Sequence, residues 1–95
     1  MKSLIQKLVE TIGPSGQEKA LRDVVRAEIE GLADDVRVDA LGNLIARKGE
    51  KGDGGLRIML SAHMDEIGVI ATHIDANGFV RFTTIGGVRA YNCLG

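Results

Sequence analysis

The 95-residue chain has little of several residue types that usually define a protein class. It contains one cysteine, Cys93, one proline and no tryptophan. A single cysteine excludes a framework of intramolecular disulfides and favours a reducing setting. Aromatic residues make up only 3% of the chain, so aliphatic side chains must supply most of its packing. With 44% hydrophobic residues, the composition is nevertheless that of a folded chain.

The sequence also lacks a dominant charge and a long apolar run. Twelve basic and 13 acidic residues leave a net charge of −1, without a basic stripe for nucleic acid. No run approaches the roughly 18 apolar residues of a membrane span. The N-terminus has no secretory apolar region or cleavage site. We therefore expect a cytoplasmic protein whose partners include neither nucleic acid nor membrane.

Helical spacing dominates the first third of the chain. Apolar residues recur with helical periodicity over residues 3–11, and the G-P-S-G sequence that follows predicts a break. Ser15 and Glu18 have the spacing of a capping box, so the pattern predicts a second helix beginning at Ser15. Gly31 is a suitable end for that helix.

The period then changes from 3.6 to 2, which predicts strands. Two antiparallel hairpins are indicated, one turning at Leu41-Gly42 and the other at Asn77-Gly78. Between them, the nearly continuous apolar run of residues 56–62 predicts a buried strand, preceded by a charged, glycine-rich loop. The predicted strands are residues 36–40, 43–48, 56–62, 68–74 and 79–85. The chain stops soon after the last of them, and we expect it to be the N-terminal piece of a longer polypeptide.

A possible site follows the third predicted strand, in the sequence S-A-H-M-D-E-I-G. In extended backbone, residues two apart point the same way, so His63 and Asp65 could share one side. A neutral imidazole is a common metal ligand, and a carboxylate often orients it or binds the metal as well. The pair supplies at most two ligands, whereas a catalytic zinc usually needs about three from the protein. As a tripeptide, H-x-D is also compatible with an ordinary solvent-exposed turn.

Three other reactive side chains have weaker patterns. His73 lies among apolar neighbours on an alternating strand, which favours a structural role. Cys93 has no neighbouring base, so we expect a small buried thiol. Glu66 could serve as a general base, but in extended backbone it points away from Asp65.

Four segments together resemble one protein family. They are G-P-S-G-Q-E after the first helix, D-A-L-G-N-L-I-A-R-K-G on the first hairpin, S-A-H-M-D-E-I-G, and T-T-I-G-G-V near the end. In order and spacing they are similar to the N-terminal portion of the forty-second metallopeptidase family. Its members are the TET-type and glutamyl aminopeptidases, which have often been labelled endoglucanases or cellulases.

The resemblance implies an exopeptidase with two divalent metal ions, zinc or cobalt, acting on peptide substrates. His63 matches the family's first metal-binding histidine, and Asp65 matches the carboxylate that orients or polarises it. The other ligands and the general base lie beyond the matching segment, and Glu66 is not that base. We therefore expect no peptidase activity from these 95 residues alone.

The implied fold is α/β. Residues 1–66 would begin a zinc-exopeptidase-like catalytic domain, with two helices and a mixed sheet. Residues 67–95 would begin an inserted PDZ-like β domain that mediates dimerisation and helps a dodecamer to assemble. Unpaired strand edges in a truncated insert would favour self-association.

Two alternatives belong to other classes. A non-enzymatic β-rich assembly or interaction module would explain the missing ligands and the apolar strands. A glycoside hydrolase needs two suitably spaced carboxylic acids, which the His-x-Asp pattern does not indicate. The reading frame after Gly95 separates the first alternative from the enzyme, since the enzyme requires further acidic ligands and a late histidine.

Overall fold

Two short amphipathic helices begin the chain. The computed structural model describes residues 1–49 and 55–93. Helix α1 is Lys2–Val9 and helix α2 is Lys19–Ile29. The Lys7 ammonium lies 2.7 Å from a Glu28 carboxylate oxygen, an exposed ion pair that contributes at most about 1 kcal/mol. Among the described residues, no helix is long and apolar enough to cross a bilayer.

Helix α2 does not begin where the sequence predicted. Its first residue is Lys19 and Glu18 stands at the N-cap, so the predicted start at Ser15 is wrong. The Ser15 hydroxyl bonds to a carboxylate 50 residues away instead of capping a helix. The Gln17 amide donates to the Pro14 carbonyl at 2.8 Å, and the Glu18 carboxylate accepts from the Gly16 amide at 2.5 Å. Residues 14–18 therefore form a closed turn before the helix.

Both predicted hairpins are present. Strands β1 (Asp35–Val38) and β2 (Leu44–Arg47) pair antiparallel, with Val38 opposite Leu44. Strands β3 (Gly68–Ile74) and β4 (Val80–Ile85) form a second antiparallel pair, with a register shift between Ala71 and His73. The segment of the glycine-rich loop predicted over residues 49–55 lies largely outside the described residues. A single 3₁₀ turn, Ala90–Cys93, follows β4.

The two hairpins use the same three-residue loop chemistry. In D-A-L-G, the Gly42 amide donates to the Asp39 carbonyl and the Asp39 amide donates to the Asn43 carbonyl, both at 3.1 Å. The Asp39 carboxylate accepts from the Asn43 amide, and Gly42 has φ of +87°. This is a type I turn closed by a left-handed glycine.

The D-A-N-G sequence repeats that arrangement between β3 and β4. Gly78 has φ of +86° and its amide donates to the Asp75 carbonyl at 3.1 Å. The Asp75 carboxylate accepts from the Asn77 and Phe79 amides at 2.9 and 3.0 Å. Each loop therefore extends one residue beyond the two-residue turn that its sequence suggested.

The predicted third strand is not formed. Residues 55–65 belong to no strand, and the apolar side chains of residues 56–60 are exposed, Leu60 by 93%. The expected mixed sheet is likewise absent from residues 1–49 and 55–93, which form two separate two-stranded antiparallel sheets. A buried strand needs neighbours on both edges and cover on both faces, and the described part of the chain provides neither. The one parallel pairing there is an isolated bridge between Pro14 and Glu66.

Burial is concentrated at one point. Leu21, on α2, is 7% exposed and is the one buried apolar side chain of the described residues. Cys93 is exposed, so the expected burial of its thiol is wrong; it lies in the terminal 3₁₀ turn. The Cα radius of gyration is 18.2 Å, whereas a compact domain of this length has about 12 Å. The sequence thus contains many more apolar side chains than the described residues bury.

We expect Leu21→Ala to lower the free energy of unfolding by about 2–3 kcal/mol, because it empties this single buried position. Alanine favours helix as strongly as leucine, so the loss reports packing. Leu41→Ala, at an exposed loop position, should change the free energy by less than about 0.5 kcal/mol. Urea unfolding followed by circular dichroism measures both. Equal effects of the two substitutions would contradict the assignment of Leu21 as the core.

Candidate metal-binding site

His63 and Asp65 meet on one side of the segment that leads into β3. The His63 Nδ1 atom lies 2.9 Å from Asp65 Oδ1 and 3.0 Å from the Asp65 backbone oxygen. The imidazole is 85% exposed and the Asp65 side chain 37%. The structure therefore brings together the two residues that the spacing predicted, although the strand expected before them is not formed.

These contacts determine the proton position on a neutral His63 ring. An ionised carboxylate and a backbone carbonyl can only accept hydrogen bonds, so Nδ1 must donate. The proton of the neutral ring is then on Nδ1, and Nε2 keeps its lone pair. A lone pair on an exposed imidazole nitrogen, with the other nitrogen bonded to a carboxylate, is the usual arrangement of a metal-binding histidine.

A third residue completes the array from far away in the sequence. The Ser15 hydroxyl donates to Asp65 Oδ2, the oxygen that His63 does not use. Hydrogen bonds from Ser15 and His63, in that order, lower the pKa of the Asp65 carboxyl. Asp65 is thus held as the anion that the His63 proton requires.

Backbone pairing attaches the turn of Ser15 to the segment of Asp65. The Glu66 amide donates to the Gly13 carbonyl at 3.0 Å, and the Gly13 amide donates to Glu66 Oε1 at 3.2 Å. Pro14 pairs with Glu66 in the parallel bridge. We call this pairing of residues 13–15 with residues 65–66 the clasp. The Glu66 carboxylate thus bonds to Gly13 in the clasp, whereas the Asp65 carboxylate bonds to Ser15 and His63.

The clasp lies close to helix α2 through Gly13. Gly13 is buried, and a Cβ atom placed there would lie 3.1 Å from both Cβ and Cδ2 of Leu21. A Cβ atom at Gly68 would lie 3.2 Å from the Pro14 ring. Glycine at these two positions allows the turn to approach both the helix and the start of β3. The buried Leu21 side chain therefore lies close to Gly13, the residue that pairs with Glu66 in the clasp.

An open groove of about 770 Å³ adjoins the pair. One wall is the first hairpin, from Leu41 to Ala46, and the other is residues 58–65, including His63 and Asp65. Glu18 also lines it; a hydrogen bond from the Gly16 amide is the main cause that lowers the pKa of its carboxyl. The groove gives the exposed imidazole room for a ligand.

The described residues do not bring together three potential ligands from histidine, cysteine, aspartate and glutamate. His73 is exposed on β3 opposite Arg81, and the structural role expected for it stays a prediction. His63 fits a metal as one ligand, with Asp65 behind it or beside it, and further ligands would have to come from elsewhere. The sequence reasoning missed Ser15 as part of the site, because its spacing to Glu18 resembled a capping box.

Comparison with known proteins assigns the chain to a class and then to a family. Several of its relatives are named aminopeptidases, a class of peptide-cleaving hydrolases. A family model described as M42 glutamyl aminopeptidase matches residues 42–95, more than half of the chain. The chain belongs to that family, as the four sequence segments implied.

Three relatives show the extent of the similarity. A putative aminopeptidase of Acetivibrio thermocellus is 47% identical over all 95 residues, which cover 28% of its own length. The structure of aminopeptidase APDkam598 from Desulfurococcus kamchatkensis matches 94% of this chain and 24% of its own, with a TM-score of 0.84 and 41% identity. An endoglucanase structure from Thermotoga maritima matches 88% of this chain and 27% of its own, with a TM-score of 0.79 and 40% identity. The chain thus spans about a quarter of such proteins.

Proposed function

We propose that this chain forms the N-terminal part of a dinuclear metal aminopeptidase, which removes N-terminal residues from peptides. The observation that carries the proposal is the exposed His63 ring, whose Nδ1 donates to Asp65 and whose Nε2 is left for a metal. A putative aminopeptidase of Acetivibrio thermocellus, 47% identical to this chain, supports the reaction class. His63 is the proposed ligand, and Asp65 is the residue that orients and polarises it.

The chemistry of these residues suits zinc or cobalt, since both metals accept imidazole and carboxylate ligands. In such hydrolases, bound metal ions supply an activated water and polarise the scissile carbonyl. The contribution of this chain is to place the proton of the neutral ring on Nδ1, which leaves the Nε2 lone pair for a metal, and to hold the ring in place. Asp65 does both through its hydrogen bond to Nδ1, as a carboxylate whose pKa is lowered by bonds from Ser15 and His63.

The organisation around the site is also part of the proposal. Residues 1–66 would belong to the catalytic domain, and residues 67–95 would begin an inserted PDZ-like domain used in dimers and dodecamers. The exposed apolar side chains of β3 and β4, such as Val69 and Phe82, support a packing role for that part. We propose a cytoplasmic location, in keeping with a single cysteine.

A chimera tests the proposed function. Residues 1–95 would replace the aligned segment of the Acetivibrio thermocellus relative, whose remaining 72% or so would supply the other ligands. With zinc or cobalt, we expect the chimera to hydrolyse amino-acyl anilides. The 95-residue chain alone should show no turnover, because its described part offers fewer than three clustered ligands. An inactive but folded chimera would contradict the proposal, as would turnover by the chain alone.

Cellulose hydrolysis is the negative control, because one structural relative is called an endoglucanase. A glycosidase needs a carboxylic acid whose pKa is raised, so that it can protonate the leaving group. In the groove, the pKa values of Asp65 and Glu18 are instead lowered by hydrogen bonds. We expect no release of sugar from carboxymethylcellulose by the chimera.

A further inference from the structure

Both oxygens of the Asp65 carboxylate have side-chain partners, and one of these partners has no assigned role. His63 Nδ1 donates a hydrogen bond to Oδ1 at 2.9 Å, and the Ser15 hydroxyl donates one to Oδ2. A carboxylate held at one oxygen can still turn about its terminal side-chain torsion, whose energy profile is broad. Partners on both oxygens remove that freedom. The orientation of the His63 ring thus depends on Ser15 through Asp65.

The position of Ser15 is set by backbone contacts on both of its sides. On one side, Gly13 exchanges two hydrogen bonds with Glu66, one through the Glu66 amide and one through its carboxylate. On the other, the Gln17 amide donates to the Pro14 carbonyl and closes the turn. Ser15 itself is exposed and is not part of a packed core. Its hydroxyl is therefore held near Asp65 by the clasp, which a side-chain substitution at residue 15 leaves in place.

We propose that Ser15 is a positioning residue of the metal site: its hydroxyl fixes the Asp65 carboxylate, which in turn keeps the His63 proton on Nδ1 and Nε2 open to a ligand. The effect of Ser15 on catalysis rests on the proposed function. The dependence of the His63 tautomer on Ser15 is independent of any metal.

The direct test is the tautomer of His63 in the 95-residue chain. Nitrogen-15 spectra of the imidazole, recorded on the neutral ring at alkaline pH, distinguish Nδ1–H from Nε2–H. We expect Nδ1–H to dominate in the wild type. Ser15→Ala should lower the ratio of Nδ1–H to Nε2–H about fivefold, the effect of one lost hydrogen bond, and Ser15→Thr should restore it. Ser61→Ala is the matched control, an exposed serine that lines the same groove, and it should leave the ratio unchanged.

Amide exchange at Glu66 shows whether the clasp persists in each variant. An unchanged tautomer ratio in Ser15→Ala overturns the proposal, and so does a wild-type chain without an Nδ1–H preference. Loss of Glu66 protection in Ser15→Ala alone also overturns it, because Ser15 would then maintain the clasp and not the carboxylate.

The chimera separates this inference from the proposed function. There, Ser15→Ala should lower kcat about tenfold with little change in KM, and Ser15→Thr should recover most of the loss. A loss in KM alone, or no recovery with threonine, contradicts a positioning role. If the wild-type chimera binds no metal and has no activity, the proposed function fails, while the ring spectra still decide the role of Ser15.

Discussion

Replacing His63 by alanine in the chimera is expected to abolish metal binding at its site and to lower kcat/KM by more than about 100-fold. Loss of a residue that merely orients a ligand already costs about 10–100-fold, so loss of the ligand itself must exceed that range. The fold should be retained, since the ring is 85% exposed and packs against little. Metal content by elemental analysis and anilide turnover on the same preparation measure both effects.

The chain supplies its own control for this experiment. His73 is the one other histidine of the sequence, and it is exposed as well. It lies on β3 opposite Arg81, and the nearby positive charge makes it a poor place for a cation. His73→Ala should therefore keep the metal content and change kcat/KM by less than about twofold. Equal losses in the two variants, or full metal content in His63→Ala, would refute the ligand assignment.

The parts of the fold that the sequence predicted correctly depend on neighbouring residues. Both hairpins are closed by D-A-x-G loops, in which an aspartate and a left-handed glycine form all the necessary contacts within five residues. The His63–Asp65 contact is equally local, since residues two apart in extended backbone lie on one side. Such features survive even when the surrounding sheet is incomplete.

The predictions that failed depend on distant partners. The Ser15 hydroxyl could bond either to the start of a helix or to a carboxylate 50 residues away, and only the folded chain decides between them. Cys93 was expected to be covered by packing that the described residues do not provide. Local pattern therefore identified the pair at the site, but it could not identify the residue that supports the pair.

The prediction of a buried strand at residues 56–60 also failed because it depends on distant partners. The composition of these residues is that of a strand buried on both faces, yet here they belong to no strand, and residues 58–60 line the groove opposite β2. Apolar side chains exposed in a continuous run usually mark a surface that another segment covers. In the chimera, the rest of the aminopeptidase fold is the segment available to cover it.

This difference in environment predicts opposite results for one substitution in two proteins. Leu60→Lys in the 95-residue chain should change the free energy of unfolding by less than about 0.5 kcal/mol, because the side chain is 93% exposed. In the chimera it should prevent soluble folding, since an unpaired buried ammonium costs several kcal/mol out of a total stability of about 5–15 kcal/mol.

Leu60→Met, which keeps the position apolar, should be tolerated in both proteins at a cost below about 1.5 kcal/mol. Urea unfolding of the chain and size-exclusion chromatography of the chimera measure these outcomes. A soluble, active Leu60→Lys chimera would show that residues 56–60 stay exposed in the larger protein.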